Sequence, residues 1–412
     1  MPDPERHTVS ADLLGQLEGG NVAQVYARLR AEAPVHFSRL FGGWVITRRA
    51  DALAILGDPT FRADEPVERL ERLEDGGGPQ LANLKTAVAS VPFFTNSPRH
   101  EQLRRFTSRL FRELDVAGLR AAVEARADRL LADARLCGGL DLAGGWGNDL
   151  APFAIGALLG LPTEETARLA AIVRSIFWIF DVAPRSLRAF ARANAELGLV
   201  LDYFEPRIAD ARRRPSTTGF ARLVALNDLE LGLDDRALCG LCAFFFVGGQ
   251  ETTATGIATA SMLLLGQPGL RRRMTAEPES LSALARELLR LAAPFQYVTR
   301  VATTDRVIAG RRIAAGDRLN VVLGAANRDP EAFGEPDIID IDRTGPESLT
   351  FGFGAYRCLG ARMAQLETEV ALERLIGQPD LRLVPETVEF ERRVRVPALA
   401  RAWAEFVPGA EP

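Results

Sequence analysis

The 412-residue chain has only three histidines, His7, His36 and His100, and four cysteines, Cys137, Cys239, Cys242 and Cys358. With no second C-x-x-C beside Cys239-Gly240-Leu241-Cys242, there is little from which to build a zinc site. That pair lies in the apolar run 238–247 and reads as core packing rather than as a redox dithiol. Sparse cysteine also suits a reducing compartment. Lysine is nearly absent, Lys85 alone against many arginines, and the net charge is -4 with no basic stripe carrying interleaved aromatics. This argues against nucleic acid as a partner. No run of about 20 apolar residues is available to span a membrane, and the polar start Met1-Pro2-Asp3-Pro4-Glu5-Arg6-His7 has no apolar signal core behind it. A soluble, cytoplasmic protein is expected.

The chain also lacks linkers, charge blocks and repeats; its nearest approach to a loop insertion, Asp75-Gly76-Gly77-Gly78-Pro79, is short. Length alone suggests two or three domains at ~150 residues each. The uninterrupted pattern instead suggests one large domain over 1–412, with 1–30 as an N-terminal segment. Helical periodicity dominates, as in 119–136, 187–213, 238–265 and 281–291, whereas strand-like alternation is confined to 35–46 and 298–322. The expected fold class is mainly α with a minor β portion.

The most informative residues are Phe351-Gly352-Phe353-Gly354-Ala355-Tyr356-Arg357-Cys358-Leu359-Gly360. They set one cysteine among glycines and an arginine, just before apolar residues Leu359, Met363, Leu366, Val370, Leu372 and Leu375 at roughly helical spacing. A helix N-terminus and Arg357 would favour a thiolate. Gly352, Gly354 and Gly360 permit positive φ and let backbone approach a flat cofactor closely. Together these features suit a metal-bound thiolate.

Here the chain resembles the cytochrome P450 family, whose haem-ligand signature Phe-Gly-x-Gly-x-x-x-Cys-x-Gly is matched at Phe351, Gly352, Gly354, Cys358 and Gly360. Tyr356 replaces the family's usual basic residue, and its phenol could still donate a hydrogen bond to a haem propionate. The resemblance extends over about 31–407 and implies the family's single-domain fold.

Residues 238–265 would form a helix roughly 40 Å long at ~1.5 Å per residue, yet Gly248 and Gly249 lie near its centre, at a cost of about 1 kcal/mol each relative to alanine. Such a cost is tolerable where something bulky lies against the backbone or where the helix opens. Gly248-Gly249-Gln250-Glu251-Thr252-Thr253 resembles the family's oxygen-activating segment, with Gly248 where alanine is common and Gln250 where histidine is common. The resemblance implies that Thr252 hydrogen-bonds iron-bound dioxygen and that Glu251 joins a proton chain to it. Taken alone, Glu251 could equally be a salt-bridged carboxylate and Thr252 a hydroxyl bonded back to its own helix.

Glu287 and Arg290, at i and i+3, resemble the family's Glu-x-x-Arg, with Arg343 as its downstream partner; the three are read as support for the cysteine loop. His100 and Arg104, at i and i+4, and Arg300 match the family's propionate donors. The resemblance further implies haem b as cofactor, with NAD(P)H electrons delivered indirectly by a ferredoxin and ferredoxin reductase. Arg105, Arg109, Arg112, Arg357 and Arg362 are candidates for a basic docking face. By the same analogy a substrate pocket is lined by parts of 61–94, 176–180, 244–248 and 293–298, and by Val396-Pro397-Ala398. These residues favour a hydrophobic or aromatic substrate, free or tethered to a carrier protein. Two other readings stay open: a haem-thiolate enzyme that couples or otherwise converts its substrate without inserting oxygen, and a non-catalytic haem or ligand-binding protein.

Overall fold

The computed structural model describes residues 22–39, 41–113, 115–180, 186–216, 219–391 and 393–407. In chain order the helices are α1 (Val22–Glu32), α2 (Arg49–Gly57), α3 (Pro66–Asp75), α4 (Ala82–Ala89), α5 (Arg99–Arg112), α6 (Val116–Cys137), α7 (Asn148–Leu159) and α8 (Thr163–Ile176). They continue as α9 (Leu187–Arg213), α10 (Gly219–Leu226), α11 (Asp235–Leu265), α12 (Pro268–Ala276), α13 (Leu281–Ala292), α14 (Leu323–Ala326) and α15 (Ala361–Ile376).

α11 organises the rest. Asp234 caps it by accepting a hydrogen bond from Ala237 N at 2.8 Å. Beyond its first turn it buries residues on every face, the property of a helix enclosed by others rather than lying on a surface. α4, α7, α9, α13 and α15 pack around it. The helix runs unbroken through Gly248 and Gly249.

Among the described residues the β portion forms three sheets. β1 (Val35–Ser38), β2 (Gly43–Ile46), β3 (Phe61–Ala63), β5 (Tyr297–Ala302) and β8 (Arg318–Val322) form one in the order β1-β2-β8-β5-β3, in which only the β2–β8 pair is parallel. Its buried Trp44, Ile46, Leu319 and Val321 make a core apart from the main helical one, each side chain contributing roughly 1.5–3 kcal/mol by burial. β6 (Arg306–Ile308) pairs with β7 (Arg311–Ile313), and β4 (Gly139–Asp141), β10 (Leu399–Phe406) and β9 (Leu381–Phe390) form the third sheet.

One sequence expectation needs correction. Strands β3, β4, β9 and β10 fall outside 35–46 and 298–322. β9 contains Pro385 and exposed Glu386 and Glu389, while the β10 pairing has register irregularities around Arg401, so neither shows simple alternation. Within the N-terminal segment, residues 22–30 pack onto the rest of the fold: α1 buries Val25, Tyr26 and Leu29, and Arg30 donates to Ala325 O at 2.9 Å. Residues 1–21, including His7, lie outside the described part.

Candidate active site

The cysteine loop and α11 meet across a cavity of about 240 Å³, far above the ~15 Å³ that one buried water requires. Cys358, Tyr356, Phe351, Gly352 and Gly360 line it from the loop, Thr252 and Gly248 from α11, and His100 and Arg104 from α5.

The loop closes through Gly352 N to Leu349 O at 2.8 Å, Cys358 N to Phe351 O at 2.8 Å and Arg357 N to Gly354 O at 3.1 Å. Gly352 and Gly354 both have φ +71°, a conformation that other residues adopt at a cost. At Gly354 a side chain would also strike Leu56 O, 2.4 Å from the Cβ position. Gly360 departs from expectation: its φ is -84°, and a Cβ there would only reach Phe111 at 3.9 Å. Its role is to precede α15 without narrowing the cavity.

Burial pushes the Cys358 thiol above its ordinary pKa, despite the Gly360 N–H, Arg104 and Arg357, which pull it down. The charge of a bound metal would favour the thiolate further.

The loop is supported from behind. Glu287 and Arg290 are 6% and 2% exposed and 2.7 Å apart, and Arg343 Nε donates to Glu287 at 3.1 Å. Burial would raise the Glu287 carboxyl, but hydrogen bonds from Arg290, Asp340 N–H and Arg343, with the Arg290 charge, hold it below the usual range. Arg290 also donates to Asn327 O at 2.8 Å. Asn327 Oδ1 in turn accepts from Leu349 N at 2.6 Å, and its Nδ2 donates to Thr350 Oγ1 at 3.0 Å. A buried polar network thus reaches the residue just before Phe351.

On α11, Thr252 faces the cavity and donates to Gly248 O at 2.7 Å. Glu251 does not line the cavity. It is 5% exposed, its Oε1 accepts from Arg393 Nη1 at 2.6 Å, and its Oε2 has no partner. Arg393 also pairs with Glu391 at 2.6 Å, where burial, joined by the Glu251 charge, pushes the Glu391 carboxyl up. The adjacent acid and alcohol therefore occupy different surroundings, and both local alternatives, salt bridge and back-bonding, are realised. Gly249 is explained by packing, because a Cβ there would lie 2.5 Å from Ile155 Cδ1; at Gly248 a Cβ would meet Phe244 at an ordinary 3.5 Å.

The three expected propionate donors are placed differently from one another. His100 is buried, with Nδ1 2.9 Å from Pro92 O and Nε2 3.2 Å from Ala355 O; a neutral imidazole can donate to only one of them. Arg104 donates to Arg357 O. Arg300 does not line the cavity but stacks its guanidinium 4.4 Å over the Tyr356 ring. It is 3% exposed, and among the described residues no carboxylate pairs with it; burial lowers its pKa to about 10. The Tyr356 phenol, expected to reach a propionate, instead donates to Asn96 Oδ1 at 2.9 Å and Thr95 O at 3.1 Å. Two donors and an accessible thiol on one cavity, with a buried cation that lacks a carboxylate partner stacked on the lining residue Tyr356, fit a dianionic group that takes a sulfur ligand.

The family profile described as Cytochrome P450 matches residues 176–392. The chain belongs to the cytochrome P450 family. It is 34% identical to cytochrome P450-SU2 of Streptomyces griseolus over 85% of this chain and 84% of that one. It is 31% identical to mycinamicin IV hydroxylase/epoxidase of Micromonospora griseorubida over 90% and 92%. The fold superposes on CalO2 with TM-score 0.88 at 28% identity, over 98% of this chain and 100% of that one. It superposes with TM-score 0.85, at 26% identity and over 97% and 100%, on P450BioI in complex with acyl carrier protein ligated by hexadec-9Z-enoic acid. The protein is thus a haem-thiolate monooxygenase that receives NAD(P)H electrons through redox partners.

In this P450 the expected lining segments contribute unevenly. Pro92, Phe93, Phe94, Phe177, Phe244, Phe245, Pro294, Phe295 and Val298 line the cavity, whereas Val396 and Ala398 are buried away from it and Trp178 packs on Phe190 at 5.3 Å. Of the five arginines expected at a docking face, Arg105, Arg112 and Arg362 are exposed and have no ion-pair partner among the described residues, Arg357 is 3.5 Å from Glu347, and Arg109 is neutralised by Glu113 at 2.8 Å and by Glu230. Cys239 and Cys242 are fully buried, and burial raises both thiols. No helix among the described residues is long and apolar enough to cross a membrane.

Sequence reasoning missed Arg393, Glu391 and Glu367. Glu367 lies on the cavity with its Oε2 unpartnered, and burial pushes its carboxyl well above the ordinary range. Its signal was available: four residues beyond Met363, it falls on the buried face of α15.

Proposed function

We propose that this monooxygenase oxidises a hydrophobic or aromatic small molecule of bacterial secondary metabolism in the cytoplasm, with a ferredoxin and ferredoxin reductase as electron donors. The observation that carries the reading is one cavity bounded by Cys358 and Thr252 and walled by Phe93, Phe94, Phe177, Phe244 and Phe295. Apolar walls of this kind orient a substrate mainly by shape.

Haem b, when bound, supplies the activation of dioxygen and the oxidation of an otherwise inert bond. Cys358 Sγ would hold its iron, and Phe351, Gly352 and Gly360 would keep the loop close to the bound group. His100, Arg104 and Arg300 would hold its propionates, with Tyr356 fixing Arg300 through its ring face. The Thr252 hydroxyl, by exchanging Gly248 O for another partner, would hold a proton at its Oγ1 on the α11 side of the cavity. Glu251 would replenish that proton once it turns from Arg393. Arg105, Arg112 and Arg362 offer unpaired positive charge to an acidic electron donor.

The test is the carbon monoxide difference spectrum of the dithionite-reduced protein beside Cys358→Ala. A red-shifted thiolate-type Soret band in the parent and its loss in the variant are expected; the same band in both would remove Cys358 as ligand. Labelled dioxygen then reports insertion, and unlabelled coupled or dehydrogenated product would overturn the oxygenation assigned here.

A further inference from the structure

Next to the aromatic wall lies a group of arginines that neither the haem site nor the docking face uses. Asp64, just after β3, pairs with Arg318 of β8 at 2.7 Å. Arg69 of α3 feels this Asp64 together with the positive charges of Arg318, Arg395 and Arg72. Arg395 stacks 4.2 Å over Tyr297 and 5.7 Å over Phe295, and its Nε is buried without a partner, as is that of Arg318. Among the described residues, neither Arg69 nor Arg395 has an ion-pair partner. Three guanidinium groups therefore share one carboxylate. Phe295 joins this cluster to the cavity: it lines the cavity and meets Phe93 edge to face at 6.1 Å.

We propose that Arg69 and Arg395 form an anion subsite that binds a carboxylate or phosphate terminus of the substrate, while its apolar body passes Phe295 into the cavity. This deepens the monooxygenase reading and rests on it. An anion here would satisfy the buried Arg395 Nε–H and offset the excess positive charge, and a guanidinium suits either oxyanion by paired N–H donation. Arg318, already paired with Asp64, would set the position of Arg69 rather than contact the ligand.

The experiment is calorimetric titration of the haem-loaded protein with straight-chain alkyl carboxylates of increasing length, the matching methyl esters and the matching alkyl phosphates. One of the anionic series is expected to bind about tenfold or more tightly than the esters, as charge-assisted hydrogen bonds would give. Which series is tighter distinguishes a carboxylate from a phosphate terminus. Arg69→Gln and Arg395→Gln should each weaken only the anionic series, with ester binding unchanged. Arg69→Glu, at an exposed helix position, should make anions bind worse than esters. Equal binding of anions and esters, an equal loss for both in the variants, or no binding by any series would overturn the subsite. The carbon monoxide spectrum of the same preparations tests the haem-thiolate reading separately.

Discussion

Arg393 Nη1 lies 2.6 Å from Glu251 Oε1, tying the middle of α11 to the segment between β9 and β10. The bond neutralises a carboxylate that is 5% exposed, and the same guanidinium also holds Glu391. For the proton transfer proposed above, Glu251 would have to exchange this partner to move a proton toward Thr252. Under that proposal Arg393 is a positioning residue that holds the acid in reserve.

Glu251→Gln is expected to lower turnover about 100-fold, within the range ascribed to positioned proton transfer, while substrate affinity stays near that of the parent. Arg393→Ala should leave a buried carboxylate unpaired. Because Arg393 itself is partly exposed, the expected destabilisation is about 1–3 kcal/mol rather than the full cost of a wholly buried pair. Thr252→Ala should keep consuming NAD(P)H but divert more of it to hydrogen peroxide. Peroxide released per NAD(P)H oxidised, measured for all three variants, checks the assignment; a parental ratio in Thr252→Ala would remove the hydroxyl from proton handling.

The neighbouring glycines should respond oppositely to a methyl group. Gly248→Ala meets only Phe244 at an ordinary distance, so the helix should gain about 1 kcal/mol while the cavity loses a methyl's volume. Bulky ligands should weaken and small ones should not. Gly249→Ala drives a methyl into Ile155 and should cost about 1–3 kcal/mol. Urea unfolding of the two variants gives the sign directly.

Arg300 and Tyr356 separate haem retention from local structure. Arg300→Ala removes a buried cation that lacks a carboxylate partner, and faster haem loss to apomyoglobin is expected. Tyr356→Phe keeps the ring under Arg300 and loses only the phenol's bonds to Asn96 and Thr95. It should cost about 1 kcal/mol of stability with little change in haem loss. Rapid haem loss in Tyr356→Phe would instead assign the phenol directly to the cofactor.

What was legible in the sequence was local. The cysteine loop packs its turn glycines, its ligand and its helix start into ten consecutive residues, and Glu287 with Arg290 lie one turn apart. Where function depends on distant segments, the sequence carried no comparable signal. Arg393 is 142 residues from Glu251, and Arg109 loses its free charge to Glu230 on a separate element. Arg300 faced a second limit: the family resemblance suggested a donor, but only the fold places Tyr356 between it and the cavity. β9 and β10 were missed because their pairing survives irregular register and an interior proline, features that erase alternation from the chain while leaving a sheet intact.

Glu367 supplies a pH dependence with a definite sign. Its carboxyl is buried, lacks a partner on Oε2 and has a folded-state pKa well above the ordinary value. The folded protein therefore retains a proton that the unfolded chain releases near pH 4.3. Stability from this group is fully present below that pH and is lost as pH rises through the folded-state value, because the native state binds the extra proton. Glu367→Gln keeps the shape and a hydrogen-bonding amide but has nothing to ionise. Urea midpoints measured at pH 5 and pH 8 should diverge, with the glutamine variant gaining on the parent at the higher pH. A constant difference between the two proteins across that range would mean that Glu367 is ionised in the fold, its charge met by a partner that α15 does not provide.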